Sequence, residues 1–312
     1  MKKTVLYETE SLYRDNFRVS GYAFGQGEKS ACILGNFRGN EVQQLYVCSQ
    51  LIKRLKEMEA SGKITEGCKI MVIPSANPYS MNIGKRFWPT DNTDINRMFP
   101  GYDKGETTQR IAAGIFGAIQ GYQYGVQLSS FYMPGNFTPH VRMMKTGFED
   151  VELAKKFGMP YVVVRNTRPY DTTTLNYNWQ IWETHAFSLY TTTTVSIDKE
   201  SAAMAVRSIL TFLSKEGIVG YHGHEGYISH VVQDTDMVSV RTGVSGIFES
   251  MVNVGDEVLK GQMLARILDP YEGEVKEILT SPMDGIVFFA HNEPLTYADT
   301  AVFKMICRVF AS

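Results

Sequence analysis

The sequence predicts an α/β protein: a mixed, mostly parallel sheet flanked by helices, followed by a small all-β domain. Three observations carry this. Short apolar runs at 31–34, 68–74 and 159–164 alternate with segments of helical periodicity, the pattern of parallel strands joined by crossover helices. An amphipathic helix at 200–213 closes that alternation. From about Val238 the texture changes to short strands separated by Gly-Asp and Gly-Gln turns.

Residues 1–30 read as an amino-terminal strand or hairpin, with turns at Gly21, Gly25 and Gly27. Ala31 to Leu34 reads as a buried strand that stops at Gly35, and a helix pattern (Val42, Leu45, Tyr46, Leu51, Ile52, Leu55) starts at Glu41 and runs to Ser61-Gly62. Arg38 and Glu41 therefore fall together at the carboxyl end of a strand, where open α/β sheets place their sites. Cys68 to Pro74 is the next strand, and a parallel pair with a right-handed crossover is expected. Thr107 to Ile119 has helical spacing, and 124–130 reads as a further strand end. The first domain is expected over 1–220, a glycine-rich junction over 221–237 and the β-domain over 238–312.

Composition narrows the class. The chain has 312 residues, 44% hydrophobic and 21% charged, with a formal net charge of −2, which describes a soluble globular protein and gives no reason to expect nucleic acid or membrane as partner. The basic start, Met1 to Val5, is followed by no apolar run of signal-peptide length, and no stretch is long enough to span a bilayer. The four cysteines are spread without CxxC spacing, so reduced thiols and a cytoplasmic location are expected. A homo-oligomer is compatible with this composition and is not indicated by it.

Two stretches point further. Residues 33–41, Ile-Leu-Gly-Asn-Phe-Arg-Gly-Asn-Glu, and 94–101, Asp-Ile-Asn-Arg-Met-Phe-Pro-Gly, resemble the signatures of the succinylglutamate desuccinylase/aspartoacylase family, zinc amidohydrolases with a zinc carboxypeptidase-like fold. The resemblance implies hydrolysis of an N-acyl amino acid at one zinc, held by a His and a Glu of Gly-x-His-Gly-x-Glu and by a later His. Glu41 stands at the Glu position, Arg38 at the first His and Ser129 at the second, in 126–129 where the family has Val-Asp-Leu-His. A guanidinium has no lone pair to offer and a neutral hydroxyl is a poor zinc ligand, so Glu41 is the one retained metal position and zinc is expected to be absent or altered. The resemblance assigns Asn96 and Arg97 to the substrate carboxylate, a role that suits a forked donor, and places Arg86 near a family arginine that polarises the scissile carbonyl, at a longer spacing here. In 186–190 the family's general-base glutamate aligns with Tyr190, or with Ser196 if the alignment is shifted; neither group is a base near neutral pH, and Glu183 and Asp198 are the nearest acids.

The pattern of 246–287, with Val254-Gly255-Asp256, Lys260-Gly261-Gln262 and Pro282-Met283-Asp284-Gly285, resembles the barrel–sandwich hybrid of biotinyl and lipoyl domains. Met283 sits where a carrier module has its lysine, so a carrier role is not expected. His222, His224 and His230 lie in the glycine-rich junction and read as a solvated linker more than as a metal site. Three functions follow. The first is a family member with a degenerate zinc site that binds an N-acyl amino acid or similar small carboxylate, Arg38 supplying a fixed cation. The second is an active metal-dependent amidohydrolase with rearranged ligands, such as His140 or His185 beside Glu41. The third is a non-catalytic structural or regulatory subunit.

Overall fold

The computed structural model describes residues 1–12, 15–223 and 225–307. His224 of the junction, and Arg308 and Val309 at the end of the expected last strand, lie outside the described residues. The chain divides into two compact units, one of Met1–Ser130 with His140–Val231, the other of Phe131–Pro139 with Val232–Ser312.

The first unit is built on a nine-stranded mixed sheet in the order Lys2–Thr9, Phe17–Phe24, Gly67–Ile73, Gly27–Leu34, Tyr124–Leu128, His185–Tyr190, His140–Lys145, Tyr161–Asn166, His230–Gln233. Its four central strands, from Gly67–Ile73 to His185–Tyr190, run parallel, as the alternation of apolar runs and helices requires. The amino-terminal pair is an antiparallel hairpin, and His140–Lys145 runs antiparallel to His185–Tyr190.

Both faces of the sheet are covered, and the strands alternate between two cores. Ala31, Ile33, Ile70 and Val72 pack with the helices Val42–Ala60 and Lys199–Lys215. Cys32, Leu34, Met71 and Ile73 pack on the opposite side with the helices Thr107–Ile119 and Leu175–Ile181. A one-residue slip in any central strand would exchange its two apolar sets, so the register is strongly specified.

This topology positions the site. Gly27–Leu34 has Gly67–Ile73 on one side and Tyr124–Leu128 on the other, so the chain leaves its carboxyl end at the point where the strand order switches direction, the crevice used by open α/β sheets. The carboxyl ends of four parallel strands, at Leu34, Ile73, Leu128 and Tyr190, deliver their following residues to one edge. No helix among the described residues is long and apolar enough to cross a membrane.

The second unit pairs a five-stranded and a four-stranded antiparallel sheet around one apolar core, including Phe248, Leu264, Ile267, Val287, Val302 and Phe303. Asn136–Phe137, far away in sequence, adds itself to Gly285–Ala290 through the pairs Phe289↔Phe137 and Ala290↔Asn136. The turn at Met283 is closed by Ser281, whose hydroxyl donates to the Met283 carbonyl at 2.6 Å.

Asp198, one of the acids near the expected general-base position, caps the helix Lys199–Lys215, its carboxylate accepting from the Glu200 and Ser201 amides at 3.1 and 3.4 Å. Asp198→Ala is expected to cost about 1 kcal/mol in urea denaturation and Asp198→Asn a few tenths.

Candidate functional site

The turn after Leu34 is shaped by its small residues. Gly35 donates its amide to the Ile73 carbonyl at 2.9 Å. Asn36, wholly buried at φ 41, holds the turn from inside: its side-chain amide donates to the carbonyls of Arg38 and Glu41 at 3.0 and 3.1 Å, and its side-chain oxygen accepts from Ser75 at 2.5 Å. Asparagine tolerates this left-handed conformation better than other residues with a side chain. Gly39 must be a glycine because a Cβ there would lie 2.3 Å from both the Lys85 carbonyl oxygen and the Ser80 carbonyl carbon. That close approach lets the Gly39 amide donate to the Arg86 carbonyl at 3.0 Å and draws the 85–86 segment onto the turn.

Glu41 is 1% exposed and both its carboxylate oxygens are engaged. One accepts the backbone amides of Phe37 and Arg38 at 3.0 and 3.2 Å. The other accepts Arg38 Nη1 at 3.0 Å and the hydroxyl of Ser130. Its place at the start of the helix Val42–Ala60 adds the favourable field of the helix amino terminus.

Arg38 continues the network. Its Nε and Nη2 both donate to Asp94 Oδ2, at 3.2 and 2.7 Å, and its Nη1 donates also to the Ser130 hydroxyl at 2.9 Å. One buried guanidinium thus stands between two carboxylates. Burial alone would lower the Arg38 pKa, but the charges of Glu41 and Asp94 override it and the pKa is raised. Arg86 is only half-buried, and its pKa is lowered, first by burial and then by the positive charge of Arg38.

Asp94 ties this network to the second motif. Its Oδ1 caps the 3₁₀ turn Ile95–Arg97 by accepting the Asn96 amide at 3.1 Å, while its Oδ2 holds Arg38. Asn96 accepts the Leu175 amide at 3.4 Å, and Arg97 donates from Nη1 to the Tyr170 carbonyl at 2.7 Å, its guanidinium carbon 5.3 Å from the centre of that ring. Phe37 and Phe99 meet edge to face at 5.6 Å, an apolar contact joining the two motif loops.

Ser129 is buried at its strand end, its hydroxyl donating to the Gln127 carbonyl at 3.4 Å; its neighbour Ser130 is the one that reaches Glu41. Tyr190 is 1% exposed, stacked on His140 at 4.5 Å and 6°, with the Arg142 guanidinium carbon 4.5 Å from its ring centre. His185 starts the strand that Tyr190 ends, about 16 Å away along an extended chain, so it lies at the opposite edge from Glu41. Glu183 is exposed just beyond the helix Leu175–Ile181. Among the described residues, no three His, Cys, Asp or Glu side chains are grouped so as to hold a metal ion.

Sequence reasoning gave no role to Asp94 or Ser130. Asp94 carried a signal, as an acid two residues before Asn96 in a capping position. Ser130 carried none, since its partners are distant in sequence. Removing Arg38 leaves buried carboxylates uncompensated, so Arg38→Met is expected to destabilise the protein by about 3–5 kcal/mol. Adding Glu41→Gln should recover part of that loss in urea denaturation; a double variant no better than additive would contradict the coupling.

The catalytic-domain model of succinylglutamate desuccinylase/aspartoacylase matches residues 28–214. The chain is 25% identical over 258 residues to the N-alpha-acetyl-L-2,4-diaminobutyric acid deacetylase of Halomonas elongata, a match that covers 78% of this chain and 72% of that one. The product-bound ectoine utilization protein of Ruegeria pomeroyi superposes with a TM-score of 0.78 at 20% identity, covering 95% of this chain and 92% of that one. A succinylglutamate desuccinylase/aspartoacylase of Rhodobacter sphaeroides does so with a TM-score of 0.79 at 21% identity, covering 97% and 95%. At these identities the two structures speak to the fold alone. With more than half of its length matched by the family's catalytic domain, the chain belongs to the succinylglutamate desuccinylase/aspartoacylase family.

Proposed function

We propose that this family member binds an N-acyl amino acid or a similar small carboxylate without zinc, the cation of Arg38 standing where the family carries its metal. The observation that carries this reading is the placement of the Arg38 guanidinium between Glu41 and Asp94. Zinc does not fit this donor set. Both oxygens of Glu41 already accept hydrogen bonds, Arg38 offers no lone pair, and Ser129 presents a neutral hydroxyl. Tyr190, at the general-base position, is packed between His140 and the Arg142 guanidinium, and a phenol is no base near neutral pH.

The carboxylate would be taken by Arg97 and Asn96, with Arg86 as a further cation on the same side. Arg97 is partly exposed and directs Nη1 to the Tyr170 carbonyl, which leaves its Nη2 edge for a ligand. Stacking on Tyr170 fixes the guanidinium plane, lowering the entropy lost when a carboxylate is gripped. Arg38, committed to Glu41 and Asp94, sets the local charge and holds the loops instead of contacting the ligand. The relative from Halomonas elongata, named for an N-acetylated diamino acid, supports the ligand class. The free cysteines Cys32, Cys48, Cys68 and Cys307 suit a reducing, cytoplasmic setting.

A second reading, a metal-dependent amidohydrolase with rearranged ligands, is favoured by that same relative's deacetylase activity. It would require Glu41 to release Arg38 and to recruit a group such as His140, which packs against Tyr190 at the same edge.

Isothermal titration with N-acetyl-L-aspartate, N-acetyl-L-glutamate and N-alpha-acetyl-L-2,4-diaminobutyrate, with a zinc chelator present, tests the proposal. Binding of at least one of them should persist with the chelator and weaken about tenfold or more in Arg97→Ala, the scale of hydrogen bonds to a charged group. Turnover that the chelator abolishes and zinc restores would establish the second reading instead.

A further inference from the structure

The helix Leu175–Ile181 carries an unusual side chain. Asn176 is 1% exposed, and neither its amide nitrogen nor its carbonyl oxygen has a hydrogen-bond partner. Folded proteins pair such groups, because leaving an amide dry and unbonded is costly. Its position is well defined by its neighbours. Leu175, the preceding residue, donates its backbone amide to Asn96 of the carboxylate motif at 3.4 Å. Gln180, one turn on and therefore on the same side of the helix, donates to the Met144 carbonyl at 3.1 Å. That side of the helix accordingly faces the strand His140–Lys145, and Asn176 lies nearer than Gln180 to the end that meets the motif loop.

The sheet beneath is polar where an apolar core would be expected. Gln127 is paired in register with Ser188, and Ser188 with Arg142, so three polar side chains stand side by side across three strands. Val126, Leu128, Phe187 and Leu189 point into the opposite core, which puts Gln127 and Ser188 on the side covered by the helix. Gln127 and Ser188 are 4% and 3% exposed, and Tyr190 lies beside them with Arg142 against its ring. A polar floor, a polar helix face and a doubly unpartnered amide on the residue after Leu175, whose backbone meets Asn96, are not what a structural core needs.

We propose that the ligand site extends beneath this helix, and that Asn176 is a specificity-determining residue that reads the amide of an N-acyl amino acid. The match is chemical. A secondary amide offers one N–H donor and one carbonyl acceptor, and the Asn176 side chain offers the complementary acceptor and donor. The ligand's carboxylate would then lie at Arg97, the neighbour of Asn96 in the motif, and its acyl group would point over Gln127 and Ser188. This rests on the carboxylate-binding reading above and adds to it the means of telling an acylated amino acid from a free one.

The test is a calorimetric comparison of wild type and Asn176→Leu, using the three N-acetyl amino acids above, each beside its unacylated counterpart. Asn176→Leu should keep or raise the melting temperature, lower the affinity for the N-acetyl compound about tenfold or more, and leave that for the free amino acid unchanged. Asn176→Ala, which removes donor and acceptor without adding a charge, guards against a folding defect and should also weaken the N-acetyl compound selectively. A lower melting temperature with unchanged affinity in both variants would overturn the assignment while leaving carboxylate binding intact. If wild type binds none of the acylated compounds, both the function and this subsite fall together.

Discussion

A single guanidinium holds the site of this protein together. Arg38 reaches Glu41 in its own turn, Asp94 in a loop more than fifty residues later, and Ser130 beyond the strand Tyr124–Leu128. Its side chain is 8% exposed, and those of Glu41 and Asp94 are 1% and 15% exposed, so these charges are screened little by solvent. Two carboxylates brought this close would repel and resist burial without the cation between them. A divalent metal is one solution to that problem and a permanently charged arginine is another. The second fixes geometry through directional N–H bonds and offers no coordination position at which water could be activated.

The network depends on the sheet. Four parallel strands end at one edge, and the strand order switches direction around Gly27–Leu34, so the turns that follow Leu34 and Leu128 and the long connection after Ile73 converge there. Asn36, Gly39 and the edge-to-face contact of Phe37 with Phe99 then set the separations within which an arginine can bridge two carboxylates. Asp94 has a double task, capping the turn that presents Asn96 and Arg97 while it pairs with Arg38. Through it, the charge balance at Glu41 and the orientation of Asn96 and Arg97 are one mechanical unit.

The alternation of apolar runs with helical segments was enough to read the mixed sheet, because each central strand is buried on both faces and leaves a short, continuous hydrophobic signature. The two motifs were legible because their residues lie close in sequence. The partners of Arg38 were not. Glu41 is three residues away, whereas Asp94 arrives on the long connection after Gly67–Ile73 and Ser130 at the end of Tyr124–Leu128, and nothing local to either marks Arg38 as its partner. The same limit hid Asn136–Phe137, whose pairing with Gly285–Ala290 crosses almost half the chain. Asn176 was invisible for another reason. A helical asparagine looks ordinary until its burial and its missing partners are known.

Zinc stoichiometry decides whether the arginine has replaced the metal. The protein would be purified without chelator, incubated with excess zinc, desalted and measured by elemental analysis. Well under one zinc per chain is expected, unchanged in Glu41→Ala. A ratio close to one that falls in Glu41→Ala would contradict the replacement and would mean that Glu41 exchanges Arg38 for the metal.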